Sequence, residues 1–389
     1  MDSVGAGAAP DAAAFGDEGS DTLGHIAEFE SSQGRTLHLP YLQKLGLGLI
    51  HPSFGIPRPA AMASTARLVE KSAGKDTTTG HWEFSGHVLT KAWPVFPKGF
   101  DPAWIDEWTR VCDLPGVLCN QVGSGTQVID AFGEEHLRSG KPIVYTSADS
   151  VFQVAAHEES FGLDRLLKVC KKARELLDPL GVARVIARPF TGAPGTFRRT
   201  ENRKDFSVPP PFPTLLDVLH SESIHTGAVG KIDDIFDHRG LSSSKHTGSS
   251  SKSWLALDAY VRQTQGQRAF VFANFIDFDQ LFGHRRDPAG YAQALRDFDA
   301  ELAARERHWD VDDLIIVTAD HGNDPCFRGT DHTRETVPLL FWSKSPQFRP
   351  KAHGQVEGFA AVAKLCIEAL GLKASLNKLP DAASTRSLW

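Results

Sequence analysis

The sequence predicts an α/β protein with a mostly parallel sheet flanked by helices, and three observations carry this. Short β-rich runs recur along the chain: Ile143-Val144-Tyr145-Thr146, Val185-Ile186-Ala187, Ala269 to Ile276, Leu314 to Val317 and Val337 to Trp342. Between the third and the fourth, Tyr291, Leu295, Phe298 and Leu302 repeat at helical spacing across Pro288 to Arg307. Two of the runs end in loops dense in Asp and His, and open α/β sheets build their sites at the carboxyl ends of strands.

The first two runs lie in a segment bounded by Pro-rich seams. Trp93 to Pro102 (WPVFPKGFDP) precedes a helical stretch, and Val208 to Thr214 (VPPPFPT) ends a basic one. The stretch between them, about 115 residues, is the size of an inserted domain. Residues 94–211 are therefore expected to form an inserted α/β cap that binds substrate, and 1–93 with 212–389 a discontinuous catalytic core that binds metal. Leu241 to Ser253 (LSSSKHTGSSSKS) cannot bury a core and is expected to be a mobile loop. Phe359 to Leu370 has an amphipathic helical pattern, with Gly371 after it to end it. The sequence contains no internal repeat.

A length of 389 residues suggests about two domains. Hydrophobic content of 41% with 23% charged residues is that of a globular enzyme rather than a disordered or fibrous chain. The net charge of −6 argues against nucleic acid or an acidic membrane as partner. No apolar run approaches the roughly 18 residues of a membrane span. The N-terminal stretch MDSVGAGAAPDAAAFGDEGSD lacks the basic region of a signal peptide. Cys112, Cys119, Cys170, Cys326 and Cys366 show no CxxC spacing, which reads as reduced thiols in a cytoplasmic protein. No obligate protein partner is evident.

The chemistry concentrates in TADHGNDPCFRGTDHTRE, residues 318–335, after the run Leu314 to Val317. Asp320-His321 is echoed by Asp331-His332. Asp279 and His284 sit in the same way beyond Ala269 to Ile276, and Asp2 at the chain start is a further candidate. Carboxylates with imidazoles suit Mn²⁺, Mg²⁺ or Zn²⁺, and the lack of thiolates among them disfavours a structural zinc site. A metal pair about 3.5–4 Å apart would clamp the attacking and leaving oxygens of phosphoryl transfer. A nucleophile is offered by SAGKDTTTGHWE, residues 72–83, where Thr77, Thr78 and Thr79 lie in a Gly-flanked turn. Taken alone, DTTTG is a helix cap or turn as readily as a catalytic threonine.

These stretches resemble the bacterial phosphopentomutases of the alkaline phosphatase superfamily along almost the whole chain. The resemblance is carried by DSVGAGAAPDA with FGDEGSDTLGHI, GKDTTTGHWE, YTSADSVFQVAAHEE, RVIARPFTGAPGTF with RTENRKDF, IDFDQLFGHRRDP, and TADHGNDP with GTDHTRETVPLL. It implies an alkaline-phosphatase-like core with two divalent metal ions, Mn²⁺ favoured. Asp2, Thr77, Asp320 and His321 match the positions that hold one metal, and Asp279, His284 and His332 those of the other. Thr77 matches the threonine that becomes phosphorylated, and Asp331 looks like a residue that orients a ligand. The implied reaction interconverts ribose 1-phosphate and ribose 5-phosphate, or their deoxyribose counterparts, with a sugar bisphosphate as activator.

Such a cycle needs a site for the phosphate that is not reacting. Arg188, Arg199, Arg203 and Lys231 are the cationic candidates, arginine being suited to bidentate phosphate contacts. Ser147 and Asp149 could hydrogen-bond sugar hydroxyls. His157, Glu158 and Glu159 offer no choice among themselves, and His81-Trp82 is expected to pack the nucleophile turn. The competing readings are a metal-dependent phosphomonoesterase or other phosphosugar mutase on the same core, and a non-catalytic paralogue. The last arises because the resemblance places a strand ahead of Asp2, where only Met1 stands. The expectation is a natural start about ten residues upstream, room for a strand of ordinary length.

Overall fold

The computed structural model describes residues 1–56, 60–147 and 149–389. Ala148, inside the TSADS run, lies outside the described residues. The chain forms two compact units: Met1–Lys91 with Pro210–Trp389, and Ala92–Pro209. In chain order the strands are β1 (Ser64–Val69), β2 (Leu118–Val122), β3 (Ile143–Thr146), β4 (Val151–His157), β5 (Arg184–Thr191), β6 (Arg198–Arg199) and β7 (Lys204–Ser207). They continue with β8 (His225–Val229), β9 (Ser243–Lys245), β10 (Ala269–Ala273), β11 (Leu314–Thr318), β12 (Val337–Ser343) and β13 (Ala352–Glu357).

The larger unit holds two sheets, ordered β11-β12-β1-β13 and β10-β8-β9. The second is parallel throughout, whereas β12 runs antiparallel to both β11 and β1. The first sheet is therefore mixed, where strand–helix alternation anticipates mostly parallel pairing. The reason is local: the Asp/His-rich loop after β11 returns the chain directly to its neighbour, without a crossover helix. Val337, Leu339, Leu340 and Phe341 of β12 are buried on both faces, as a central strand requires. The helix Pro288–Arg305 starts at N-cap Asp287, which accepts from the Gly290 amide, and has Pro at its first position. It buries Tyr291, Leu295, Phe298 and Leu302, the four residues at helical spacing.

Among the described residues no ladder joins β10 to β11. Instead the Met1 amine donates to Thr318 O at 2.8 Å, and the Asp2 amide to Phe275 O at 3.2 Å. The first two residues thus lie at the carboxyl ends of both strands. The Ser-rich segment 241–253 is more ordered than its composition suggests. Ser243–Lys245 pairs with β8, and Ser249 caps the helix Ser250–Gln263 through the Lys252 amide. A serine run supplies caps as well as loops.

The smaller unit is one mixed sheet, β2-β3-β4-β5-β6, with β7 also paired to β5. Its two faces carry separate cores. Val144, Phe152, Val154, Val185 and Ala187 pack with Trp108 and with Leu166 and Val169 of the helix Leu163–Leu177. Ile143, Tyr145, Ala155 and Phe190 pack with Val128 and Ile129 of the helix Gly125–Ser139. The alternation along β3 is the period-2 signature of a strand buried on both sides. No helix of the described residues is long and apolar enough to cross a membrane.

Candidate metal centre

Thr77 opens the helix Thr77–Phe84. Asp76 caps it, its carboxylate accepting from the amides of Thr78 and Thr79 at 3.0 and 3.2 Å. The same carboxylate accepts the Thr79 hydroxyl at 2.5 Å. Thr77 Oγ1 instead lies 3.1 Å from Nε2 of His321. The helix packs hard against the loop after β11: a Cβ on Gly80 would lie 2.1 Å from Asp320 O, so only glycine fits there.

Around Thr77 the larger unit gathers three buried carboxylates and two buried imidazoles. Asp2, Asp320 and His321 present one ligand atom each within 4.8 Å of one another, and so do Asp279, His321 and His332. The His321 and His332 rings lie 4.1 Å apart, and those of His284 and His332 4.9 Å. Asp279 Oδ2 is 3.4 Å from His284 Nε2, and its Oδ1 is 3.5 Å from His332 Nε2. Asp279 sits in the helical turn Phe278–Gly283 beyond β10, and Asp320 just beyond β11, so two strand ends supply the cluster.

Backbone groups hold these side chains. His284 Nδ1 faces Thr330 O at 2.7 Å and His321 Nδ1 faces Gly322 O at 3.1 Å, an arrangement that fixes ring orientation. Asp320 Oδ1 accepts the Ser3 amide at 3.0 Å. Ser3 itself has φ 74°, and the Tyr291 hydroxyl donates to its carbonyl at 2.9 Å. Asn323 Nδ2 donates to Asp279 Oδ1 at 2.9 Å.

Burial and the charge of Asp320 push the Asp2 carboxyl up. Burial opposes ionisation of Asp320 as well, yet His321 and His81 beside it hold it well below the usual carboxylate range. His284 and His332 do the same for Asp279 against its own burial. Buried charge at this density is costly unless a cation compensates it. Asp2 Oδ1 and Asp320 Oδ2 are buried and accept no hydrogen bond among the described residues. Oxygen and imidazole donors with uncommitted buried oxygens fit divalent cations.

The structure distributes the other expected residues unevenly. Lys231 stands among the carboxylates, its Nζ 2.9 Å from Asp2 Oδ2 and 3.9 Å from Asp279 Oδ2. Asp331 accepts the backbone amide of His332 at 2.8 Å and lies 3.4 Å from Lys75 Nζ. His81 does pack the turn, against Phe84 and Phe272, but its Nδ1 also lies 3.3 Å from Asp320 Oδ2. Its position four residues after Thr77, one helical turn on, was the available signal.

In the smaller unit, Arg188 Nε donates to Gln153 Oε1 at 3.1 Å, and Arg203 forms a bidentate pair with Asp205 at 2.7 Å. Asp149 pairs with Arg184 at 3.1 Å. Arg199 is exposed at the end of β6, and Ser147 is half-buried after β3.

Arg334 is a residue that the motif alone did not single out. It is buried and makes six hydrogen bonds: to both Asp11 oxygens, Glu70 Oε2, and the carbonyls of Glu70, Ser72 and Gly74. It ties the loop bearing His332 to the loop that leads into Thr77. Glu335, beside it, accepts from the Thr22 amide and hydroxyl and from Thr333.

The pattern of the metalloenzyme superfamily matches residues 1–374. A phosphopentomutase of Anaeromyxobacter dehalogenans (strain 2CP-C) is 50% identical over 340 residues, covering 87% of this chain and 85% of that protein. The phosphopentomutase of Rhizobium meliloti (strain 1021) is 47% identical over 394 residues, covering 96% of each. That of Chromohalobacter salexigens is 47% identical over 386 residues, covering 96% of this chain and 92% of the relative.

Proposed function

This chain belongs to the phosphopentomutases of the metalloenzyme superfamily, and from that premise we propose how its residues carry the reaction. It is an isomerase that binds divalent metal on an alkaline-phosphatase-like core. The proposed substrates are ribose 1-phosphate and ribose 5-phosphate, with the deoxyribose phosphates handled alike. The observation that carries the reading is Thr77 Oγ1, at a helix N-terminus and 3.1 Å from His321 in the cluster of buried carboxylates.

Asp2, Asp320, His321 and Thr77 would hold one cation, and Asp279, His284 and His332 the other, with Mn²⁺ the favoured ion. When bound, such cations neutralise phosphoryl oxygens and make a hydroxyl easier to deprotonate. The protein's own part is positional. Asp76 holds the first turn in register, and Gly80 lets the helix approach the Asp320 loop. Phospho-Thr77 would transfer its phosphoryl group to the free hydroxyl of the sugar phosphate, breaking the Thr77 O–P bond and forming a sugar bisphosphate. The bisphosphate then returns its other phosphate to Thr77, leaving the isomer. A sugar bisphosphate would also serve to charge Thr77 at the start.

Arg188, Arg199 and Arg203 are assigned to the phosphate that is not being transferred, and Ser147 and Asp149 to sugar hydroxyls. Lys231, standing between Asp2 and Asp279, is assigned to a phosphate near the carboxylates. The test is to supply purified protein and Mn²⁺ with ribose 1-phosphate and to follow ribose 5-phosphate and free phosphate together. Ribose 5-phosphate should form with little free phosphate. Free phosphate as the main product would make the protein a phosphomonoesterase instead.

A further inference from the structure

The helix that opens with Thr77 is fixed at its far end by a buried carboxylate. We propose that Glu83 is a positioning residue for phosphoryl transfer, its carboxylate setting where the helix presents Thr77 Oγ1. Glu83 lies in the last turn of Thr77–Phe84 and is 0% exposed. Its Oε2 accepts from the Ser72 amide at 2.7 Å and the Ser72 hydroxyl at 2.5 Å, and its Oε1 from the Phe359 amide at 2.7 Å. The two oxygens share the Lys71 amide at 3.0 and 3.1 Å. All of these partners are donors, the surroundings of an anion rather than of an amide.

Helix stability alone does not ask for this placement. The last turn of a helix favours cations, and a buried carboxylate is costly without one. Among the described residues no lysine or arginine side chain forms an ion pair with Glu83; its donors are backbone amides and a hydroxyl. What the donors share is location. Lys71 and Ser72 follow β1, Phe359 follows β13, and these two strands pair with each other. Phe84 stacks on Phe359 with ring centroids 4.9 Å apart. The Ser72 carbonyl also accepts from Arg334 at 2.9 Å, so one short segment ties Glu83 to the loop bearing His332.

The helix turns a small shift at Glu83 into a shift at the nucleophile. Gly80, whose approach to Asp320 O leaves no room for a Cβ, sits midway between Thr77 and Glu83. At 1.5 Å per residue each arm about that contact is about 4.5 Å long, so a tilt that moves Glu83 by about 1 Å moves Thr77 as far. A misplacement of about 1 Å in a reacting geometry costs up to about 100-fold in rate.

This role deepens the proposed function and rests on it for Thr77 as the group that carries the phosphate. The test compares Glu83→Gln with the parent as full-length, Mn²⁺-loaded proteins. For each, kcat and KM for ribose 1-phosphate, bound metal and hydrogen exchange over the helix Thr77–Phe84 are measured. The amide keeps the shape but sets an NH₂ group against donors. Glu83→Gln should lower kcat about 10- to 100-fold and leave KM within about threefold, with metal content retained. Ser72→Ala removes one donor and leaves the carboxylate and every amide in place. It should give the same split with a smaller fall in kcat, and it decides the matter alone if Glu83→Gln does not fold. Unchanged kcat in both variants overturns the proposal, as does a fall in kcat matched by an equal loss of bound metal. Mutase turnover unimpaired by either substitution removes the positioning role and leaves the proposed function. A parent protein that releases free phosphate instead of isomer, at a rate that Glu83→Gln lowers through kcat alone, does the reverse.

Discussion

Arg334→Met removes the side chain that staples the metal loop to the loop ahead of Thr77. Its six hydrogen bonds do not add independently, because five N–H donors serve six acceptors. The larger part of the loss comes from Glu70, which is 3% exposed and whose Oε1 already lacks a hydrogen bond among the described residues. Burial drives this carboxyl well above its usual range, and Arg334 is the charge that opposes it. Breaking a buried pair from one side typically costs about 3–5 kcal/mol. Whole-domain stabilities are only about 5–15 kcal/mol. Because two units make a single global unfolding free energy ill-defined, the measurement is native-state hydrogen exchange on peptides spanning β1 and the helix Thr77–Phe84. Arg334→Met should lower protection there by about 3 kcal/mol, and adding Glu70→Gln should restore part of it. A loss below about 1 kcal/mol, or an equal loss in the Glu70→Gln background, would refute the reasoning.

Thr77→Val should abolish mutase turnover while leaving a folded protein that still binds metal; phosphate label found on Thr78 or Thr79 by mass spectrometry would reassign the nucleophile. His284→Ala and His332→Ala should each reduce bound metal from two ions toward one, read by elemental analysis; full occupancy in both would dismantle the proposed division of ligands. Arg203→Ala should raise KM for the sugar phosphate more than it lowers metal content, whereas an unchanged KM would leave Arg203 as the partner of Asp205 alone. Glu30 is held down to about 2, first by Arg35 and further by Arg296, against its own burial. The depressed carboxylate stabilises the fold fully above its ordinary value of 4.5, and that contribution is lost as pH falls toward about 2. Glu30→Gln should therefore cost about 1–2 kcal/mol near neutral pH, allowing for the exposure of Arg35, with a gap that narrows only below 4.5. A gap independent of pH in hydrogen-exchange protection of the helix Thr22–Ser32 would count against it.

What the sequence disclosed follows from distance along the chain. Asp320-His321 and Asp279 could be placed because each follows an apolar run that announces its own strand end. The helix over Pro288–Arg305 was legible because capping, proline and apolar spacing are all local. Strand direction was not, since β12 is antiparallel to β1 by pairing with residues some 270 positions away, as in Ala66 with Leu339. Arg334 looked like ordinary polarity after His332, because its partners at Asp11, Glu70, Ser72 and Gly74 come from the far end of the chain. Lys231 was grouped with the arginines by charge, and only the fold brings its amine beside Asp2.

The division of the chain also sets an order on its synthesis. Ala92–Pro209 is continuous and has cores of its own on both faces of its sheet, so it can fold as soon as it clears the ribosome. The larger unit cannot. β1 is made early, yet it takes its hydrogen bonds from β12 and β13, which lie beyond residue 336. At about 5–20 residues per second, residues 210–389 occupy on the order of 10–40 s of translation. Through that interval Ser64–Val69 and the threonine turn that follows remain without their sheet. A strand destined for burial and unpaired for so long is a natural client for chaperones, and slow codons placed before residue 337 should raise the aggregated fraction.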